Sequence, residues 1–385
     1  QAAAAAEAGV PTAAEVPATA PAAVPPTAQP AQTAAEPVVV TTDVLRLTFD
    51  PVGARIVKAE LLNFGSVDDP ERPVVLLDNS PGLVYLAESG VVGQQGAAFP
   101  THRTPFQVST TARELAGDAI DVSFEATSGG VKLVKTYTLR RGRYDIDVRH
   151  ELTNVGEQPV SPSLYLQLTR DGNKPAGESS FYRTFTGPAV YTEQGKFQKI
   201  DFSDIGSGKA SYVTSADDGW IAMIQHYFVT AWVPPEGVQR TNGMVALGNN
   251  LFAVRSIESV GGIEPGASRT VNAQLWIGPQ DQGALENVAP GLSLVVDYGW
   301  LTVIAKPLFA LMTWLHGLLG NWGWTIVALT VLIKLVFFPL SAASYRSMAR
   351  MKQVAPRLSA LKEKYGDDRQ KLNAAMMEMY RTEKI

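Results

Sequence analysis

Residues 132–152 read KLVKTYTLRRGRYDIDVRHEL. Leu133, Lys135, Tyr137 and Leu139 alternate with their neighbours, and Ile146, Val148 and His150 keep the same two-residue period. Side chains two positions apart share one face of a strand, so each run predicts a strand. Arg141-Gly142-Arg143 between them predicts a hairpin turn. The same texture of short runs bounded by Gly, Pro, Asn and Asp extends from Val38 to Val295. Further candidate strands are Val44–Phe49, Ser163–Thr169, Gly219–Val233, Leu251–Ile257 and Thr270–Ile277. Strands at this density, with few helical stretches, predict a β-sandwich of about 250 residues over 38–295. No internal repeat is visible there.

The whole chain has 385 residues, 45% of them hydrophobic, which leaves room for more than one domain. A net charge of −4 gives no global field for nucleic acid, and no nucleic-acid specificity is expected. With no cysteine, disulfides, thiolate metal sites and cysteine nucleophiles are excluded. His102, His150 and His226 are isolated in sequence and fit no metal-ligand spacing, so neither metal nor cofactor is expected. Trp220, Tyr227, Phe228 and Trp232 fit either a sugar-binding groove or a core, and their strand spacing favours the core. The glycines at 129–130 and 261–262, and the acids Asp68-Asp69 and Asp217-Asp218, read as turns.

Residues 1–37 are almost entirely Ala, Pro, Thr, Val and Glu. Prolines at 11, 17, 21, 25, 26 and 30 prevent a continuous helix, and little here can bury surface to offset ordering entropy. A semi-extended, passive linker is expected. The chain starts on Gln1 and stops at Ile385 while a charged helical pattern is still running, so a piece of a longer protein is expected.

Residues 322–340 read WGWTIVALTVLIKLVFFPL, with one charge and enough length to cross the hydrocarbon of a bilayer. Trp322 and Trp324 stand where aromatic residues mark one interface. Beyond Ser341, ten Lys/Arg face five Asp/Glu, which marks the other side as cytoplasmic. A transmembrane helix is predicted over 321–340, with the β region outside the cytoplasm. Lys334 lies roughly 10 Å inside the cytoplasmic end at ~1.5 Å per residue. It is either a snorkelled charge or a functional one facing protein or water, because an ionisable group mid-span costs about 2.5–3.5 kcal/mol. Thr330, one turn earlier, shares its face.

On the near side, apolar residues at 301, 304, 305, 308, 311, 312, 315 and 319 make a helical stripe. Thr302, Lys306, Thr313 and His316 fall mostly off it, and Pro307 sits within it. An amphipathic helix lying in the interface is predicted over 296–320. On the far side, Met348, Met351, Ala355, Leu358, Leu361 and Tyr365 form a narrow seam among basic residues. Gly366-Asp367-Asp368 should end that helix and cap a second, with its own seam at Leu372, Ala375, Met376, Met379 and Tyr380. A helical hairpin over 341–385 follows, with Pro356 kinking its first helix or marking its start. A solvated basic helix pair drawn to anionic lipid is the plainer reading of this segment.

The run from Val296 to Ile385 resembles the bacterial YidC membrane-protein insertase family. Asp297-Tyr298-Gly299-Trp300, Gly320-Asn321-Trp322-Gly323, Pro339-Leu340 and Gly366-Asp367-Asp368 carry the likeness. The β region is similar to the large periplasmic domain of Gram-negative members through TTDVLRLTFDPVGARI, KTYTLRRGRYDIDV and GWIAMIQHYFVTAWVP. The resemblance implies a mainly β supersandwich like that of sugar mutarotases, without their catalysis. An interfacial helix on the periplasmic face, one transmembrane helix and a cytoplasmic helical hairpin would follow. It implies a location in the bacterial inner membrane and a non-enzymatic role as insertase and chaperone. Hydrophobic segments of newly made proteins would enter the bilayer through a hydrophilic groove, alone or with the Sec translocon.

In the family pattern Lys334 falls on a groove arginine and Thr330 on a groove threonine. The hairpin tip, with Asp367 and Asp368, matches the segment implicated in receiving substrates and targeting partners. Partners implied are nascent membrane proteins, Sec components, the ribosome or signal-recognition components, and membrane lipid. Lys334 is the departure, since arginine stays charged almost anywhere whereas a buried lysine can lose its proton. Two other readings stand beside this one. A membrane-anchored periplasmic carbohydrate-binding or carbohydrate-active protein leaves the hairpin unexplained, and a structural anchor of a secretion channel is the third.

Overall fold

A computed structural model describes residues 10–11, 36–93, 97–175, 184–366 and 368–382. Most of the expected linker therefore lies outside the described residues. The chain divides into two compact units, Gln1–Val296 and Asp297–Ile385.

The first unit opens with β1 (Val38–Thr41), β2 (Leu45–Asp50), β3 (Arg55–Gly65), β4 (Pro73–Ser80) and β5 (Leu83–Val92). Next come β6 (Gln107–Val108), β7 (Ala119–Ser128), β8 (Val131–Arg140), β9 (Asp145–Asn154) and β10 (Ser163–Asp171). β11 (Gly187–Thr192), β12 (Lys196–Lys199) and the short helix α1 (Phe202–Gly206) lead to β13 (Ser215–Ala216), β14 (Trp220–Gln225) and β15 (Phe228–Val233). β16 (Arg240–Gly248), β17 (Leu251–Ser259), β18 (Ser268–Pro279) and helix α2 (Gln282–Glu286) complete it. The strands form two nine-stranded antiparallel sheets, in the orders β1-β2-β3-β4-β5-β10-β17-β16-β13 and β12-β11-β14-β15-β18-β9-β8-β7-β6.

The expected hairpin is β8–β9, paired from Val131↔Asn154 to Leu139↔Ile146. Gly142 turns it at φ +69°, a conformation that costs glycine no Cβ clash. The alternation places Leu133, Tyr137 and Leu139 of β8, with Ile146, Val148 and Leu152 of β9, in the core between the sheets. Phe49 bridges across, its ring 5.3 Å from Phe124 and 5.0 Å from Tyr137. Fully burying each such side chain contributes roughly 1.5–3 kcal/mol. A second apolar layer covers part of the outer face of the second sheet. There Trp220, Ile224 and Trp276 pack beneath α2 and the turn at Leu292–Val295.

One expected strand is two. The run 219–233 folds back at His226-Tyr227, with Gln225 paired to Phe228. Strands buried on both faces read as unbroken apolar runs, so no alternation marks the reversal. Trp220 and Trp232 are core residues, whereas Tyr227 at the tip is 67% exposed; the four aromatics do not line one groove.

The second unit holds α3 (Thr302–Leu319), α4 (Trp322–Tyr365) and α5 (Arg369–Thr382). Gly320, at φ +63°, ends α3 by donating its N–H to the His316 carbonyl, and the Asn321 side chain caps α4 by accepting from Trp324 N–H at 3.2 Å. The His316 ring stacks on Trp322 across this junction at 3.8 Å. Helix α4 differs from expectation. It runs unbroken for 44 residues, past Ser341 and with Pro339 and Pro356 inside it. Each proline removes one backbone donor but a long helix can persist around it, and the charge change at 341 alters the surroundings rather than the backbone. At ~1.5 Å per residue α4 is roughly 66 Å long, about twice a bilayer's hydrocarbon. Asp368 caps α5, accepting from Lys371 N–H at 3.2 Å. Leu372, Ala375, Met376, Met379 and Tyr380 are its half-buried residues.

Candidate functional site

The first half of α4 exposes apolar side chains around its circumference, among them Trp324, Ile326, Val331, Leu335, Val336, Phe338 and Leu340. Helix α3 likewise exposes Val303, Ile304, Trp314 and Leu318. Both α3 and residues 322–353 are long and apolar enough to cross a membrane. A helix apolar on every side belongs in a core or in lipid, and these helices are not buried within the chain.

Polar residues interrupt this surface in a pattern. Thr325 is buried and Thr330 exposed, and each donates its hydroxyl to the carbonyl four residues back, at 2.8 and 2.7 Å. The hydroxyls thereby cost little in an apolar medium. Lys334 is exposed one turn beyond Thr330, on the same face. Asp368 serves as the α5 cap, and Asp367 lies outside the described residues.

Sequence reasoning missed a buried polar network in the first unit. The Lys135 ammonium donates to the Gly53 and Ser89 carbonyls, both at 2.7 Å, and sits 4.9 Å from the centre of the Phe106 ring. Ser89 Oγ is 2.9 Å from His150 Nε2. One oxygen of Glu88 accepts from Arg55 at 3.4 Å; the other accepts from Gln167 at 3.0 Å and Thr169 at 2.7 Å. The His102 ring bonds the Tyr165 hydroxyl at 2.7 Å through Nδ1.

Burial drives Lys135 down to about 7, with Glu88 resisting. Burial also holds His102 down to about 4 and His150 down to about 3. Glu88 is pressed upward by burial, yet the charges of His102 and Arg55 and the bonds from Thr169 and Gln167 bring it down to about 2. A carboxylate so fully used as an acceptor braces the fold rather than offering a base. The signal was legible: Lys135 and His150 occupy inward positions of the two strands that define the sheet.

The outer face of the second sheet carries an open cleft of about 520 Å³, bounded by Asp121, Thr136, Thr138, Asp147, Arg149 and the Val233–Pro235 wall. Its carboxylates are engaged locally, Asp121 by Thr138 at 2.6 Å and Asp147 by Gln274 at 3.2 Å. Among the described residues, no group of three or more His, Cys, Asp or Glu gathers as a metal site.

Residues 37–311 match the family model described as the YidC periplasmic domain, and residues 314–385 match that of the 60Kd inner membrane protein. Proteins named membrane protein insertase YidC are similar along the chain. That of Bordetella petrii is 67% identical over 356 residues, covering 92% of this chain and 63% of its own length. The Bordetella parapertussis protein is 68% identical over 352 residues, 91% and 62% of the two chains. The Janthinobacterium protein is 51% identical over 356 residues, 92% and 63%. The chain thus spans a little under two thirds of the length of these relatives. Among solved structures, a galactose mutarotase-like protein from Clostridium acetobutylicum aligns with TM-score 0.41 and 8% identity, covering 63% of this chain and 94% of its own. One from Lactobacillus casei has TM-score 0.38 and 11% identity, covering 63% and 100%. Scores at this level carry no argument about chemistry. The two adjoining family matches cover the β unit and the helices that follow it, and the chain belongs to the YidC family.

Proposed function

We propose that this chain contributes to inserting newly made proteins into the bacterial inner membrane, with Lys334 and Thr330 facing a hydrophilic groove. The carrying observation is the polar pair on the exposed face of the otherwise apolar first half of α4, in a member of this family. The groove admits a substrate's hydrophilic segment partway into the bilayer and so shortens its path through hydrocarbon. No bond chemistry or nucleotide hydrolysis is required. One helix makes one wall, so the activity belongs to the whole protein.

Lys334 attracts the anionic part of an incoming segment only while charged, which requires water in the groove. In the full-length protein, Lys334→Ala lowers insertion of single-span substrates about tenfold, the effect of ~1.4 kcal/mol. Lys334→Arg retains activity. Equal insertion by all three proteins, in a reconstituted vesicle assay, would defeat the reading.

Helix α3 decides the topology, because two spans would return the chain to its starting side. Lys306 and His316, with Pro307 inside the helix, favour a place in the periplasmic interface. The β unit then lies in the periplasm and the basic hairpin of α4 and α5 in the cytoplasm, where its charge suits anionic lipid, ribosomal or targeting partners and Sec components. The chain lacks cysteine, so single thiols report cleanly. Val303→Cys and Leu318→Cys should both react with a membrane-impermeant maleimide added from the periplasmic side. Reaction of Leu318→Cys only from the cytoplasmic side would make α3 a span.

A further inference from the structure

Val92, Tyr165 and Ile257 form a small apolar cluster separate from the core between the sheets. Their neighbours Val91 and Leu164 belong to that core, so strand alternation directs Val92 and Tyr165 to the opposite, outer face of the first sheet. Tyr165 pairs with Gly90 on one side and Ile257 on the other, which sets the three on adjacent strands β5, β10 and β17. An outer face would ordinarily meet water. Here Tyr165 is 0%, Ile257 1% and Val92 6% exposed. Val10 packs against this cluster, and Pro11 beside it is buried.

We propose that Val10-Pro11 is a latch that fastens the N-terminal Ala/Pro-rich segment onto the outer face of the first sheet. The dipeptide suits the task. Proline restricts both itself and the residue before it in backbone conformation, so little conformational freedom is lost on docking. Gly90 leaves room for the Tyr165 ring and for the Thr101 backbone that passes over this face, and the Tyr165 hydroxyl is turned to the backbone and ring of His102, which leaves the apolar patch of Val92 and Ile257 beside it for Val10. The expected passive linker is thereby fixed at one point along its length. Burial of one valine and one proline supports only weak affinity, on the order of millimolar, and a short tether supplies an effective concentration of the same order. The latch therefore sits near balance and can release. Val-Pro recurs in the sequence at 16–17 and 24–25, so the same chemistry is at hand if the first copy is lost.

The absence of native cysteine makes the test direct. In the full chain, Val10→Cys with Val92→Cys is treated with a short bifunctional maleimide at low protein concentration, beside Val10→Cys with Val155→Cys, whose second site is 54% exposed. The first pair should give an intramolecular product at least about tenfold faster than the second. Separately, Val92→Cys alone should label slowly with a monofunctional maleimide, and about tenfold faster when Val10, Val16 and Val24 are all replaced by Asp. Equal crosslinking of the two pairs overturns the latch. So does labelling of Val92→Cys that is unchanged by the triple replacement.

Discussion

Lys135→Ala destabilises the β unit by about 3–5 kcal/mol in a denaturant titration. Lys135 is fully buried, and its ammonium is the donor to two carbonyls, Gly53 of the turn after β2 and Ser89 of β5. Alanine leaves both acceptors unpaired and opens a cavity in the core. Lys135 lies on the second sheet and its partners on the first or its loops, so the bond ties the two layers together. Lys135→Met separates the contributions. It keeps most of the volume, removes a charge that burial disfavours, and loses only the hydrogen bonds, so about half the cost remains. Methionine as harmful as alanine would place the whole effect on the bonds. A change below about 1 kcal/mol for alanine would deny the brace altogether.

Acid unfolds the β unit steeply. His102 and His150 are held below their ordinary value in the folded chain, to about 4 and about 3, mainly by burial. The unfolded chain binds their protons near pH 6.5, so stability is fully present above that pH and falls as pH drops toward 4 and 3. Glu88, held down to about 2, acts in the same direction below pH 4.5. Glu258 opposes: burial lifts it to about 7 against the pull of Arg240, so it favours the folded state as pH falls from 7 to 4.5. Between pH 6.5 and 4.5 the two histidines outweigh one carboxyl, and below 4.5 histidines and Glu88 act together. The combined loss is on the order of 5 kcal/mol, or about 10–20 °C in melting temperature between pH 7 and pH 3.5. Glu258→Gln should steepen the fall above pH 4.5 by removing the opposing group. A melting temperature constant from pH 7 to pH 3.5 would contradict the buried network. On the alkaline side, Lys135 held at about 7 makes the unfolded chain the better proton binder from pH 7 to 10.5, so its contribution rises with pH.

The strands were legible where one face is buried and the other wet. In β8 and β9 the two-residue period marked the pairing and the inward row. It failed at β14–β15, where both faces are covered and the turn at His226-Tyr227 carries no glycine or proline. The junction at Gly320-Asn321 was legible because one residue adopts the left-handed cap and the next supplies a side-chain acceptor. The interior of α4 was less so. Pro356 reads in sequence as either a kink or a helix start, and the helix runs on both sides of it.

By itself the sequence determined the apolar run of 322–340 with its single lysine, the basic segment beyond it and the β texture before it. These follow from local composition and period, which physical chemistry reads without knowing what lies nearby. Only the tertiary structure decided that Lys135 and His150 meet Ser89 between the sheets while Glu88 and His102 are buried against Gln167, Thr169 and Tyr165, because these partners lie on other strands or loops up to 82 residues away in the chain. It likewise placed Val10-Pro11 on a sheet face. Long-range pairing sets which face each side chain meets, and with it which charge is sealed from water.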